Sequence, residues 1–236
     1  MFNDLFSAET LQETWEIIET QIPLAIWETV YVTVLSTAFA IILGLPLGVL
    51  LVIGAKDGIR PLPRWIMKIL NTLVNLLRSV PFLILMIIAL PLSKIIVGTK
   101  IGTEATIPPM VIAAFPLVAR MVENAIREVD RGVIEAAQSM GASTWKIVTK
   151  VLLPEAKPSL IAGAAITTTT ILGYGAMAGI IGGGGLGKLA IDYGYYNFKK
   201  IVMWAAVIGL ILLVQIIQTV GTKLSTAGDK RLRGRK

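Results

Sequence analysis

Cysteine and histidine, which carry most side-chain chemistry near neutral pH, are both absent from the 236 residues. That excludes disulfides, the usual zinc sites, thiol nucleophiles and any Ser-His-Asp arrangement, and it leaves no side chain that titrates near neutrality unperturbed. The segment whose spacing comes nearest a nucleotide site is Gly182-Gly183-Gly184-Gly185-Leu186-Gly187-Lys188. It satisfies both GxGxxG and the opening of a phosphate-binding loop, but that loop next needs Ser or Thr to hold Mg²⁺, and residue 189 is Leu. No βαβ pattern surrounds it. The reading is therefore a close helix contact or a re-entrant turn, since glycine lets backbones meet or bend. No catalytic residue, cofactor or metal is expected.

The ionisable residues within apolar surroundings are the next chemistry to weigh, because such residues are functional by default in a membrane. Arg78 lies beyond Trp65 by roughly 20 Å if the stretch is helical at about 1.5 Å per residue. It should face protein or a water-filled vestibule. Arg120, Glu123 and Arg127 are spaced i, i+3 and i+7, so Glu123 can meet either arginine; the expectation is a solvated ion pair. Met177 and Tyr174 stand among small residues, Gly173, Gly175, Ala176, Ala178 and Gly179. One bulky flexible side chain there either plugs a path at a dimer axis or fills a packing gap. The threonines 167–170 either line that path or bond back to their own helix.

The elements that must position these residues are set by composition. Apolar types make up 55% of the chain and charged types 16%, against about 25% in soluble domains, and mean hydropathy is +0.75. Five apolar runs, about 26–55, 65–97, 107–122, 160–181 and 201–220, are each read as a membrane span. Glu28 interrupts the first near its start. Gly44, Pro46 and Gly48 inside that run are tolerated better in lipid than in water. The second run is long enough to tilt or bend, with Pro81 and Pro91 as places to do so. Residues 1–21 hold Asp4, Glu9, Glu13, Glu16 and Glu19 without Lys or Arg, unlike a signal peptide. Leu11, Trp15 and Ile18 suit a short amphipathic helix on the membrane surface.

Charge then sets the topology. Lys56, Arg60, Arg64 and Lys68 fall in the first connection; Arg120, Arg127, Arg131, Lys146, Lys150 and Lys157 in and around the third; Lys223, Lys230, Arg231, Arg233, Arg235 and Lys236 at the C-terminus. The opposite side holds only Lys94, Lys100, Lys188, Lys199 and Lys200. Basic residues stay cytoplasmic, so the N-terminus is placed outside and the C-terminus inside. The net charge of +7 is thus topology and not nucleic-acid binding. Trp27, Trp65 and Trp204 fall near span ends, as interfacial anchors do. The domain reading is an extracytoplasmic segment 1–21, a membrane domain 22–222 and a basic cytoplasmic tail 223–236.

The third connection, 130–154, is the most informative stretch. Asp130 is placed as an N-cap, with Val133, Ala136, Ala137 and Met140 forming one small apolar face of a helix that Gly141 ends in a left-handed turn. Ser143 can cap a second helix carrying Trp145, Val148 and Leu152. Helix, glycine turn and helix (about 131–147) form either a protruding knob for another protein or an interfacial element lying on lipid.

Glu135-Ala136-Ala137, Gly141, and Val151-Leu152-Leu153-Pro154 resemble the EAA loop of binding-protein-dependent ABC importer permeases, with Val151 where Ile is common. Leu77-Arg78-Ser79-Val80-Pro81-Phe82, Ala119-Arg120-Met121-Val122-Glu123-Asn124-Ala125, and Gly173-Tyr174-Gly175-Ala176-Met177 with 182–187 are similar to the methionine-uptake branch of that family. The resemblance implies an all-α type I importer permease with five spans and a cytoplasmic coupling helix, in a bacterial cytoplasmic membrane. It implies a homodimer, two ABC ATPase subunits docked at Glu135, Ala136, Ala137 and Gly141, and an extracytoplasmic substrate-binding lipoprotein. A path or gate at Met177, Arg78 and Tyr174 would carry methionine or a close analogue. The alternatives are a permease for another small solute or a self-contained secondary carrier, which would need an ion site of its own.

Overall fold

In the chain's computed structural model residues 8–228 are described, and every regular element among them is helical. Lys230, Arg231, Arg233, Arg235 and Lys236 of the basic tail, and the acidic start at Asp4, lie outside the described residues.

Helix α1 runs unbroken over Ala8–Ile53, 46 residues, far longer than the roughly 30 Å hydrocarbon core demands at about 1.5 Å per residue. The short surface helix expected near the N-terminus is thus the first part of the first span's own helix. Of its expected apolar positions, Leu11 lies where no side chain is described, Trp15 is exposed and Ile18 is half-buried. Pro23 and Pro46 sit within α1 without ending it.

The second run is two helices, α2 (Arg64–Ser79) and α3 (Phe82–Ile96), broken at Val80-Pro81. Val80 is extended, φ −78° and ψ 128°, because the following proline ring pushes the preceding residue out of the helical region. Pro91, the other candidate break, stays inside α3. Helix α4 covers Ile107–Arg127, a turn longer than the apolar run alone suggested, with Pro108 and Pro109 in its first turn, where a missing N–H costs no hydrogen bond. Helices α5 (Arg131–Ser139) and α6 (Thr144–Ile147) follow; a π-helical turn, Val148–Leu152, and α7 (Leu153–Glu155) continue from α6. Helix α8 is Lys157–Ala178, α9 is Gly185–Leu189, and α10 is Lys200–Gly228. Four helices are long and apolar enough to span a membrane, and the broken pair α2–α3 makes a fifth span when counted as one.

The chain divides into two compact units. The first gathers Met1–Ser36, Phe82–Met110 and Thr170–Ile216; its core is Ala25, Leu186, Leu189, Val202 and Ala206. The second gathers Thr37–Pro81, Val111–Thr169 and Ile217–Lys236, with Leu51, Val74 and Ala119 packed against Leu47, Met67 and Leu70. Here α1 meets α4 through glycines: a methyl at Gly44 would lie 2.6 Å from the Phe115 carbonyl oxygen, and one at Gly48 2.5 Å from that of Ala119. Small residues one turn apart are what lets two membrane helices approach this closely.

Candidate functional site

The knob in the second unit is built as its spacing requires. The Asp130 carboxylate accepts the Gly132 N–H at 2.6 Å and opens α5. Gly141, at φ +72°, ends it in the left-handed region that favours glycine, and its N–H donates to the Gln138 carbonyl at 2.9 Å. Ser143 then accepts the Lys146 N–H at 3.4 Å and opens α6. The expected single apolar face is split. Ala137 is buried, whereas Val133, Ala136 and Met140 are exposed, as are Glu135, Gly141 and Trp145. The reason is local: α5 packs against the π-helical turn that carries buried Val148 and Leu152, which takes Ala137 inward and leaves the rest of the stripe uncovered. Beneath α5 lies a cavity of about 210 Å³ lined in part by Asp57, Arg127, Arg131, Glu135 and Gln138, with Arg131 bonded to Asp57 at 2.9 Å.

Behind the knob, the Arg120–Glu123–Arg127 group is more than the solvated pair expected. Glu123 is only 7% exposed and accepts from both arginines, at 3.0 Å from Arg127 Nη2. The Arg120 Nη2 also donates to the side-chain oxygens of Asn71 at 2.8 Å and Asn75 at 2.9 Å, tying α4 to α2. Neither asparagine was singled out by spacing, although two amides one turn apart in an apolar helix are a legible sign of a polar tie. Arg78 occupies the last turn of α2, exposed, where the helix's terminal carbonyls favour a cation.

In the first unit, Tyr174 and Met177 share the end of α8. The Tyr174 ring stacks on Phe82 with centroids 4.0 Å apart and planes within 3°. Met177 is exposed. Thr168 and Thr169 bond back to the carbonyls of Ala164 and Ile166, at 2.7 and 2.8 Å, so their hydroxyls are satisfied by their own helix.

The glycine segment folds back on α8. A methyl at Gly187 would collide with the Ala176 backbone, and one at Gly179 would lie 2.5 Å from the Lys188 nitrogen. These glycines serve close backbone approach. The amides that would face a phosphate are taken: Glu28 accepts the Gly185 N–H at 2.7 Å and the Thr103 hydroxyl at 2.8 Å, and the Thr29 hydroxyl accepts the Leu186 N–H at 2.9 Å. Glu28 is the second functional candidate that spacing missed; a lone acid at the start of an apolar run was its signal.

Several helices long and apolar enough to span a membrane, with no strand among the described residues, define an all-α integral membrane protein. The described residues hold no group of acidic side chains able to bind a metal. Residues 40–233 match the family model described as "Binding-protein-dependent transport system inner membrane component", and the chain belongs to that family. It is 48% identical over 208 residues to a probable D-methionine transport system permease protein MetI of Vibrio cholerae, covering 88% of this chain and 92% of that one. It is 46% identical over 164 residues to the methionine import system permease protein MetP of Bacillus subtilis, covering 70% and 74%. A solved structure of inward-facing conformations of the MetNI methionine ABC transporter matches with a TM-score of 0.88 at 40% identity, over 91% of this chain and 99% of that chain. The fold is that of a type I ABC importer permease.

Proposed function

We propose that this chain is the membrane-spanning half of an ATP-driven importer that moves methionine or a close analogue into the cytoplasm. The exposed knob carries the reading: its caps and glycine turn are fully formed, yet Val133, Ala136 and Met140 face outward uncovered. An exposed apolar stripe on a capped helix pair is a surface for another protein. Two cytoplasmic ATPase subunits dock there, one on each copy of a homodimer, at exposed Glu135, Ala136 and Gly141, while buried Ala137 packs the helix from behind. ATP-driven closure shifts the dimer between inward- and outward-open states by differential contact with each. An extracytoplasmic binding protein delivers the solute, the N-terminus lies outside, and Met177 and Tyr174 close the path. Methionine as substrate is supported by the names of the relatives; no side chain here reads a thioether by geometry.

The test is purification in mild detergent from native membranes, with Gly141→Glu alongside. The native chain should bring a stoichiometric ATPase, and Gly141→Glu, a charged side chain in a left-handed turn, should lose it. Reconstituted vesicles should take up radiolabelled methionine only with ATP. Uptake without nucleotide that collapses with the ion gradient would instead establish a secondary carrier.

A further inference from the structure

The glycine segment is not absorbed by docking or by the path, and its surroundings explain why it is there. Glu28 sits on α1, its carboxylate holding the Gly185 N–H at 2.7 Å while the Thr103 hydroxyl holds the carboxylate at 2.8 Å. One residue further along, the Thr29 hydroxyl accepts the Leu186 N–H at 2.9 Å and donates to the Ala25 carbonyl at 2.8 Å. Leu186 is fully buried in the core with Ala25, so the fold-back is seated by packing as well as by charge. A side chain at position 184 would displace this carboxylate, since a methyl there would lie 2.6 Å from a Glu28 oxygen. From this seat, α9 lies against the end of α8: Gly187 meets Ala176 and Lys188 meets Gly179, the residues that flank Met177 on either side. Backbone-to-backbone contact leaves no flexible side chain to absorb a shift, so displacement of α9 must move the last turn of α8.

We propose that Glu28 is a positioning residue for the gate: its carboxylate latches the glycine fold-back to α1 and so holds the α8 turn that carries Met177 in the closed position. The proposal rests on the reading of Met177 as a gate. A carboxylate suits this task because its two oxygens hold an amide and a hydroxyl at once, and hydrogen bonds to a charged group are stronger than neutral ones.

The experiment measures leak of radiolabelled methionine from proteoliposomes holding the complete transporter with its ATPase, without nucleotide, beside ATP-driven uptake and ATPase rate. Four chains are compared: native, Glu28→Ala, Glu28→Gln and Met177→Ala. Glu28→Ala should raise the leak by about ten- to a hundred-fold, the equilibrium weight of a hydrogen bond to a charged group, as the gate residue's own truncation does. Glu28→Gln, whose carbonyl can accept the Gly185 N–H and whose amide can donate to Thr103, should bring the leak back toward native. A residue important only for folding would lower uptake and ATPase rate together and leave no leak for glutamine to repair. Leak from Met177→Ala with none from Glu28→Ala or Glu28→Gln would overturn the latch while the gate stands. No leak from Met177→Ala would remove the gate, and the latch with it.

Discussion

Glu123 is the residue whose environment differs most from what its type and position suggest. An acid three residues from one arginine and four from another reads as surface decoration, and exposed pairs of that kind contribute little. Here the carboxylate is buried between both guanidiniums, and Arg120 spends its second nitrogen on Asn71 and Asn75 of another helix. Removing Glu123 leaves the Arg120 guanidinium, 17% exposed, with two neutral amide acceptors and no counter-charge, while Arg127, 45% exposed, can turn to water. Glu123→Ala should therefore destabilise by about 3–5 kcal/mol, the cost of leaving a buried charge unpaired. Asn75→Ala, which leaves Arg120 two of its three acceptors, should cost about 1 kcal/mol. Thermal unfolding of the purified chain in detergent, with both variants in parallel, checks the ranking; equal losses would mean that the asparagines, not the charges, hold the tie. Spacing placed the i, i+3 and i+7 pairing correctly. It could not reveal the burial, because that depends on Asn71 and Asn75 arriving from 45 or more residues away.

Between elements, the legible features were those encoded within a few residues. The Asp130 and Ser143 caps and the left-handed Gly141 are local chemistry and stand where the sequence put them. The break between α2 and α3 is local too, but two prolines competed for it. Pro81 ends α2 because its ring pushes Val80 into the extended region, while Pro91 is carried inside α3. Helix-to-helix contacts were not legible. Gly44 and Gly48 read as tolerated flexibility and are in fact the seam between α1 and α4. Gly48→Ala should thus cost about 1–3 kcal/mol, because the added methyl meets the Ala119 backbone and Val122 Cβ, neither of which can swing aside. Leu43→Ala, exposed on the same helix, should stay within about 0.5 kcal/mol. The difference is read as a drop in melting temperature for the glycine variant alone; matched melting temperatures would show that α1 and α4 can separate freely.

For the whole chain, the sides of the membrane follow from where the basic residues lie. Among the described residues, the basic residues that the sequence assigns to the cytoplasm, from Lys56 to Lys223, fall within the second unit. Lys94, Lys100, Lys188, Lys199 and Lys200 all fall within the first. A chain inserted the other way would carry its basic loops across the membrane, against the bias that retains lysine and arginine in the cytoplasm. The absence of cysteine makes a direct test simple, since any thiol introduced is the only one present. Lys56→Cys and Lys100→Cys are a matched pair, both exposed and each removing one positive charge. In intact cells a membrane-impermeant maleimide should label position 100 and spare position 56, and permeabilisation should make position 56 reactive. The reverse pattern would put the knob outside, away from cytoplasmic ATP, and would remove the importer mechanism along with the topology.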